Sequence, residues 1–378
     1  MEKLHAPELD ESSLPASRVA ALFAPHLLAL VFPLNALAFV ATGPHRWWIS
    51  LLFIVPVFGS VWLDAKSSTE SRQPPAKIPA WPFDALLVVL VAMQVANVVL
   101  LARSFSAARP LADTVVGAVV GLVAVGSSSG YSGIVVAHEL VHRSRRHWVA
   151  LGRLVLCTVM YEHFYTEHVR GHHARVGTDE DPATARFGET FKSFYRRTVP
   201  AQFRSAWRLE KVRVGGASMR WYDPRILRSR VLHGVVIECS LAAALAVAFG
   251  PVALAVHLTQ AWWATRALEV VNYFEHWGLR REGGRVLPVH SWDTHSRFTY
   301  FALTGLSRHA DHHAFASRPY QLLRVWEESP KLPRGYLAMF PLVLRQNGRF
   351  QKLMTAELRR RELGPFARGA NRDAEVAA

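Results

Sequence analysis

The chain has 378 residues, 51% of them hydrophobic and 19% charged, with a mean hydropathy of +0.11. A soluble domain rarely combines that average with long apolar runs, so the composition points to an integral membrane protein. The net charge of +15 does not indicate nucleic-acid binding: of 44 lysines and arginines, 18 lie in 143–230 and 17 in 276–378, flanking apolar segments as cytoplasmic loops do, and no nucleic-acid-reading motif accompanies them.

Residues 1–18 are polar and mildly acidic, without the basic start of a cleavable signal, and are expected to form an N-terminal cytoplasmic tail. A spanning helix needs about 20 mainly apolar residues. Six segments qualify, near 20–42, 47–63, 83–102, 115–136, 231–249 and 252–273. They predict an all-α membrane domain over 19–354, followed by a frayed, charged tail over 355–378. Six spans bring the chain back to its starting side. The positive-inside rule makes that side cytoplasmic, so both termini, the 64–80 loop and the two basic blocks face the cytoplasm of an inner-membrane protein.

In the second span, Trp47, Trp48, Phe53, Phe58 and Trp62 are candidates to line, with the fourth span, an apolar tunnel between the helices, or to face lipid. The fourth pattern stays helical from 113 to 143, about 45 Å, which exceeds a hydrocarbon core of about 30 Å and carries its last turns out of the membrane. The stretch 186–230 has twelve basic residues against three acidic ones, interleaved with Phe191, Phe194, Tyr195, Phe203 and Trp207, and is expected to lie as a helix on the anionic leaflet. In the sixth span, Arg266 and Glu269 stand three residues apart and are expected to pair, since an unpaired charge at that depth is costly. Cys157 and Cys239 are expected to be buried free thiols.

Nine of the 18 histidines fall in four places, all at the cytoplasmic ends of spans four and six or beyond them, in a histidine-rich helical cap. The first is His138-Glu139-Leu140-Val141-His142, which also matches the zinc-peptidase pattern H-E-x-x-H. The second is "EHVRGHH" with His168, His172 and His173; the third is His276 in "NYFEHWG"; the fourth is "RHADHH" with His309, His312 and His313. Residues i and i+4 share a helix face while the next one swings about 100° away, so each of the second and fourth sets can serve two adjacent metals. Nine imidazoles are too many for one zinc ion, structural or catalytic, and suit a pair of metals. Glu139, Glu167, Glu275 and Asp311 each adjoin one of these histidines and are expected to accept their outer N–H groups. The run Asp179-Glu180-Asp181 before Pro182 reads as a helix N-terminus in preference to a docking surface.

In these stretches the chain resembles the integral-membrane alkane 1-monooxygenases (alkane ω-hydroxylases) of the membrane fatty-acid desaturase/hydroxylase superfamily. "HELVHR", "EHVRGHH", "TDEDPATARFGE", "NYFEHWGL", "LSRHADHHAFASRPYQ" and "ESPKLPRGY" occur in that family's order, over roughly 135–340. The resemblance implies a non-haem centre of two iron ions and O2 as co-substrate. It also implies electrons from a rubredoxin or ferredoxin with its reductase, and the reaction RH + O2 + 2e⁻ + 2H⁺ → ROH + H2O at the terminal carbon of a hydrophobic chain. Carried over residue by residue, the iron ligands are His138, His142, His168, His172, His173, His276, His309, His312 and His313. Trp277, Ser307 and Ala310 depart from the family's usual Tyr, Gln and Ser without removing a ligand. They leave open a related desaturase, aryl-methyl hydroxylase or fatty-acid-modifying activity. A zinc peptidase would leave seven of the nine histidines unused.

Overall fold

The computed structural model describes residues 14–220 and 222–367; the first 13 residues of the expected N-terminal tail and the last 11 of the C-terminal one lie outside the described residues. Among the described residues the architecture is helical, with two isolated β-bridges, Thr69 to Ser296 and Asp293 to Lys331. Among the described residues, five helices are long and apolar enough to cross a membrane: α1 (Ala16–Thr42), α2 (Trp47–Ala65), α3 (Trp81–Ser104), α4 (Leu111–Val141) and, after the short α5 (Arg146–Cys157) and the surface helix α6 (Phe191–Gly215), α7 (Arg230–Phe249). The segment expected as a sixth span forms one continuous helix, α8 (Pro251–His276), which is not among the five. Its polar residues lower its average hydropathy. They are tolerated because His257, Gln260, Glu269, Asn272 and Glu275 are buried within the protein, where α8 packs against α3, α4 and α7.

Helix α4 runs unbroken for 31 residues, about 46 Å. A π turn at Ser129–Ile134 interrupts its α geometry. Such a turn carries one extra residue and re-aims whatever follows it, here the two turns bearing His138 and His142. The turn is braced by Gln94 Nε2 donating to Ser129 Oγ at 2.9 Å and by Ser129 Oγ donating to Gln260 Oε1 at 2.9 Å. Gly133 permits the close approach of α3, since a Cβ there would meet the Gln94 amide at 2.9 Å.

Several expectations are corrected. Helix α6 turns Phe191 and Phe194 into the protein and leaves Phe203 exposed, so only part of its aromatic series faces outward. The aromatics of α2 do not line a tunnel: Trp47, Trp48, Phe58 and Trp62 are exposed, as residues facing lipid would be, and half-buried Phe53 packs at a tilt against Phe39 and His45. Arg266 and Glu269 do not pair. The Arg266 guanidinium lies over Phe191, Tyr195 and Trp262, while the Glu269 carboxylate accepts from Tyr161 Oη (2.9 Å), Gln202 Nε2 (2.9 Å) and Asn272 Nδ2 (3.2 Å). Cys157 is buried but Cys239 is exposed. After the short helices α9 (Arg297–Ala302) and α10 (His309–Ala314), α11 (Tyr336–Arg345) and α12 (Asn347–Arg360) close the core. Met354 and Leu358 of α12 join that core, so order persists well past residue 355, where a frayed tail is expected.

Candidate metal centre

Four segments bring the nine histidines to one place. The end of α4 supplies His138 and His142, a short helical piece around a second π turn (Glu167–His172) supplies three, the last residue of α8 is His276, and α10 supplies the rest. Their nitrogens form two groups that could each hold a metal ion: His138, His142, His168, His173 and His312 in one, and His172, His276, His309 and His313 in the other. Two of the first group are half-buried and the other seven histidines are buried.

Helical spacing alone does not give this partition. In α10, His309 and His313 share a group at i, i+4 and His312 goes to the other, as an α-helix dictates. In the second set it is His168 and His173, five apart, that share a group, and His172 that crosses over. The π turn is the reason: its i to i+5 hydrogen bonding gives residue i+5 the place that i+4 holds in an α-helix.

The donor set fits cations. Nε2 atoms face one another at 3.0 Å (His173 to His168, His313 to His309), 3.1 Å (His312 to His173), 3.2 Å (His172 to His313) and 3.3 Å (His309 to His276). Imidazoles bonded at right angles to one ion at about 2.1 Å would place their nitrogens about 3.0 Å apart. The Nε2 atoms of His138 and His142 are buried with no hydrogen-bond partner, a costly state that a bound cation relieves. Burial first, and the neighbouring imidazoles second, push His168, His173, His309, His312 and His313 well below the ordinary histidine range, and His142 down to about 3. All six are therefore neutral near pH 7, with lone pairs free for metal.

The carboxylates distribute differently from the sequence expectation. Glu139 binds Arg143 Nε at 2.8 Å and lies 3.4 Å from the Tyr320 N–H; Glu167 binds Arg175 at 2.8 Å; Asp311 accepts from Arg318, the Arg324 N–H and Trp326 Nε1. These three brace the surrounding chain, because a residue adjacent to a ligand points about 100° away from it. Glu275 does reach a histidine, with Oε2 3.2 Å from His309 Nε2. The carboxylate that braces one of the nine histidines from behind is Asp181, whose Oδ2 accepts from His172 Nδ1 at 2.8 Å and from Thr184 Oγ1 at 2.6 Å. It is buried in a turn segment, so the helix N-terminus expected for 179–181 is not formed. Burial raises its carboxyl, but His172 and Thr184 outweigh that and hold it below the usual carboxylate range.

An apolar cavity leads to this centre. Tyr131 and Val135 of α4, Phe164, Val271 of α8, Leu303 and Phe340 line it, and His138, His168 and His309 complete the lining with Asn272 and Glu275. The spans that line it are thus the fourth and α8, with α2 taking no part.

The fatty acid desaturase family profile matches residues 113–343. The chain is 35% identical over 332 residues to alkane 1-monooxygenase 1 of Pseudomonas aeruginosa, covering 84% of this chain and 85% of that one. It is 38% identical over 232 residues to alkane 1-monooxygenase 2 of the same organism, covering 59% and 60%. Similarity extends, at 26% identity over 208 residues, to the hydroxylase component of xylene/toluene monooxygenase from Pseudomonas putida, covering 54% and 55%.

Proposed function

The chain belongs to the fatty acid desaturase family, and on the geometry of its two histidine groups we propose that it is a membrane-bound diiron monooxygenase that hydroxylates the terminal carbon of an alkane or a similar hydrophobic chain. It is an alkane 1-monooxygenase-like oxidoreductase. The observation that carries the reading is a pair of adjacent, buried, all-imidazole groups beside an apolar cavity. His138, His142, His168, His173 and His312 would hold one iron and His172, His276, His309 and His313 the other. When bound, the two ions supply the redox chemistry that divides O2 between the substrate and water.

The chain's own residues do the rest. Asp181 keeps a proton on His172 Nδ1, so that Nε2 presents its lone pair to the centre. Tyr131, Phe164, Val271 and Phe340 exclude water and present the hydrophobic chain end-on, a positioning effect. Glu275 and Asn272 are the polar groups of that wall and the ones placed to hand on protons where the reaction consumes them. Electrons come in this reading from a rubredoxin or ferredoxin with its reductase. Helix α8 serves as the sixth span, which puts the two basic blocks, both termini and the metal centre on the cytoplasmic face of the inner membrane; the charge distribution supports that orientation.

Two measurements test the reading. Metal analysis of the purified protein should give about two irons per chain; about one zinc and no iron would instead indicate a hydrolase built on His138 and His142. Membranes supplied with O2 and an electron donor should convert octane or hexadecane to the 1-alcohol. Product only from xylene or from a free fatty acid would move the assignment to a related activity.

A further inference from the structure

On the face of the protein that carries the histidine groups, a recess of about 400 Å³ opens between the start of α1, the 66–80 loop and α9. Its rim carries the exposed guanidiniums of Arg18, Arg72 and Arg297, and its floor holds Arg308, His26 and Gln321, each at most 4% exposed. Among the described residues one carboxylate, Glu70, answers these four arginines, accepting from Arg72 Nε at 2.8 Å and from Arg297 at 3.2 Å. On the floor, Arg308 Nε, His26 Nδ1 and Gln321 Oε1 are buried without a hydrogen-bond partner. Arg308 Nε carries a hydrogen that needs an acceptor, and with the surplus of positive charge among the described residues it calls for an anion with several oxygens, which arginine forks match in phosphate; Gln321 Oε1 is an acceptor and takes a donor such as a headgroup hydroxyl.

The recess is continuous with an apolar furrow between α1 and α2, with which it shares Pro25, Arg297 and Phe301. Leu27 of α1 and Trp62 and Leu63 of α2 lie along that furrow and are 46%, 63% and 49% exposed. Both helices are candidate spans, so the furrow faces hydrocarbon and the recess lies at the level of the headgroups. We propose that the recess binds the headgroup phosphate of an anionic phospholipid whose acyl chain lies in the α1–α2 furrow. Basic pockets between spanning helices on the cytoplasmic side take such headgroups. Arg308 directly precedes His309 and donates to the Leu323 and Arg72 carbonyls, so the bound lipid would tie α1 and the 66–80 loop to the segment bearing the fourth histidine set.

The test uses the full chain exchanged into nanodiscs of phosphatidylcholine with or without phosphatidylglycerol, then released and weighed intact by native mass spectrometry. Wild-type protein should retain phosphatidylglycerol in preference to phosphatidylcholine. The Arg18→Glu/Arg297→Glu variant should retain about tenfold less, and Arg349→Glu/Lys352→Glu, exposed on α12, should match wild type. Trp62→Gln should weaken retention of long-chain but not of short-chain phosphatidylglycerol. Unchanged retention in the Arg18/Arg297 variant, equal loss in the α12 variant, or equal retention of phosphatidylcholine overturns the proposal. Excess inorganic phosphate should leave the lipid in place; full displacement would reduce the recess to a free-phosphate site and sink the lipid assignment. Equal metal content in all variants confirms that they are folded.

Discussion

Replacing Asp181 by Asn should empty one half of the metal centre and spare the other. The Asp181 carboxylate receives the His172 Nδ1 proton at 2.8 Å, and the Thr184 hydroxyl and the Ala183 N–H hold it in place. An Asn amide keeps the shape but lacks the charge, and with its oxygen left on the Ala183 N–H its NH2 takes the place of Oδ2, facing Nδ1 and the Thr184 hydroxyl oxygen. That would drive the imidazole proton to Nε2, the nitrogen that faces His313 at 3.2 Å. Loss of such an outer carboxylate costs about 10- to 100-fold in metal affinity, or about 1.4 to 2.8 kcal/mol at 1.4 kcal/mol per tenfold. Only the group of His172, His276, His309 and His313 contains the affected ligand, so the loss is confined to one ion. Titrating ferrous iron into metal-free protein should show two binding steps in wild type. In the variant, one midpoint should stay and the other should shift by that factor, with activity falling alongside the weakened step. Glu180→Gln, exposed in the same turn, should leave both steps unmoved. Equal weakening of both steps, or of neither, would refute the assignment of Asp181 and the partition it rests on.

Val271→Trp, which adds bulk to the cavity wall, should lower the hexadecane rate relative to the octane rate by about tenfold, within the 1 to 3 kcal/mol that pocket contacts discriminate; gas chromatography of the two alcohols reads the ratio. Gly234→Ala places a methyl group inside the Glu162 carboxylate and should break its ion pair with Arg153, costing about 1 to 3 kcal/mol in a thermal melt. The metal-free protein should lose stability in acid. Folding depresses the imidazoles of His142, His168, His173, His309, His312 and His313, so the unfolded chain binds protons that the folded one refuses. Stability is then full above the unfolded value near 6.5 and falls as the pH drops below it, by about 1.4 kcal/mol per pH unit for each imidazole. Denaturant melts from pH 7.5 to 5 measure the slope; a flat profile would contradict it.

What could be read ahead of the structure is what short-range rules govern. Apolar runs of spanning length follow from the cost of placing a polar backbone in lipid, and the helices α1, α2, α3, α4 and α7 stand where those runs predict. The histidine sets spaced about one helical turn apart were equally legible, and all nine histidines lie in the two groups that could hold metal. The partition within "EHVRGHH" was hidden, because it depends on a π turn that no local residue pattern announces. That turn is held from outside: it packs against α6, which joins the chain some twenty residues later. Asp181 was in view but given a local role. Its signal was an acid eight to nine residues beyond a histidine set, in a Pro-containing turn too short to form a helix, where a small carboxylate can fold back under the ligand it follows.

The Arg266–Glu269 pair failed for a related physical reason. Spacing of i, i+3 makes an ion pair available, but each side chain found partners contributed from elsewhere in the chain. Tyr161, Gln202 and Asn272 satisfy the carboxylate with three neutral donors and leave it no need of a cation, while Arg266 turns outward onto the faces of Phe191, Tyr195 and Trp262. In a medium where an unpaired charge is costly, satisfaction can come from dipoles as well as from the opposite charge. Sequence spacing reveals only the latter. The same logic explains why three of the four acids beside histidine ligands brace backbone and arginines. In a helix adjacency along the chain means divergence in space, and the acid that serves a ligand is one the fold returns to it from a turn.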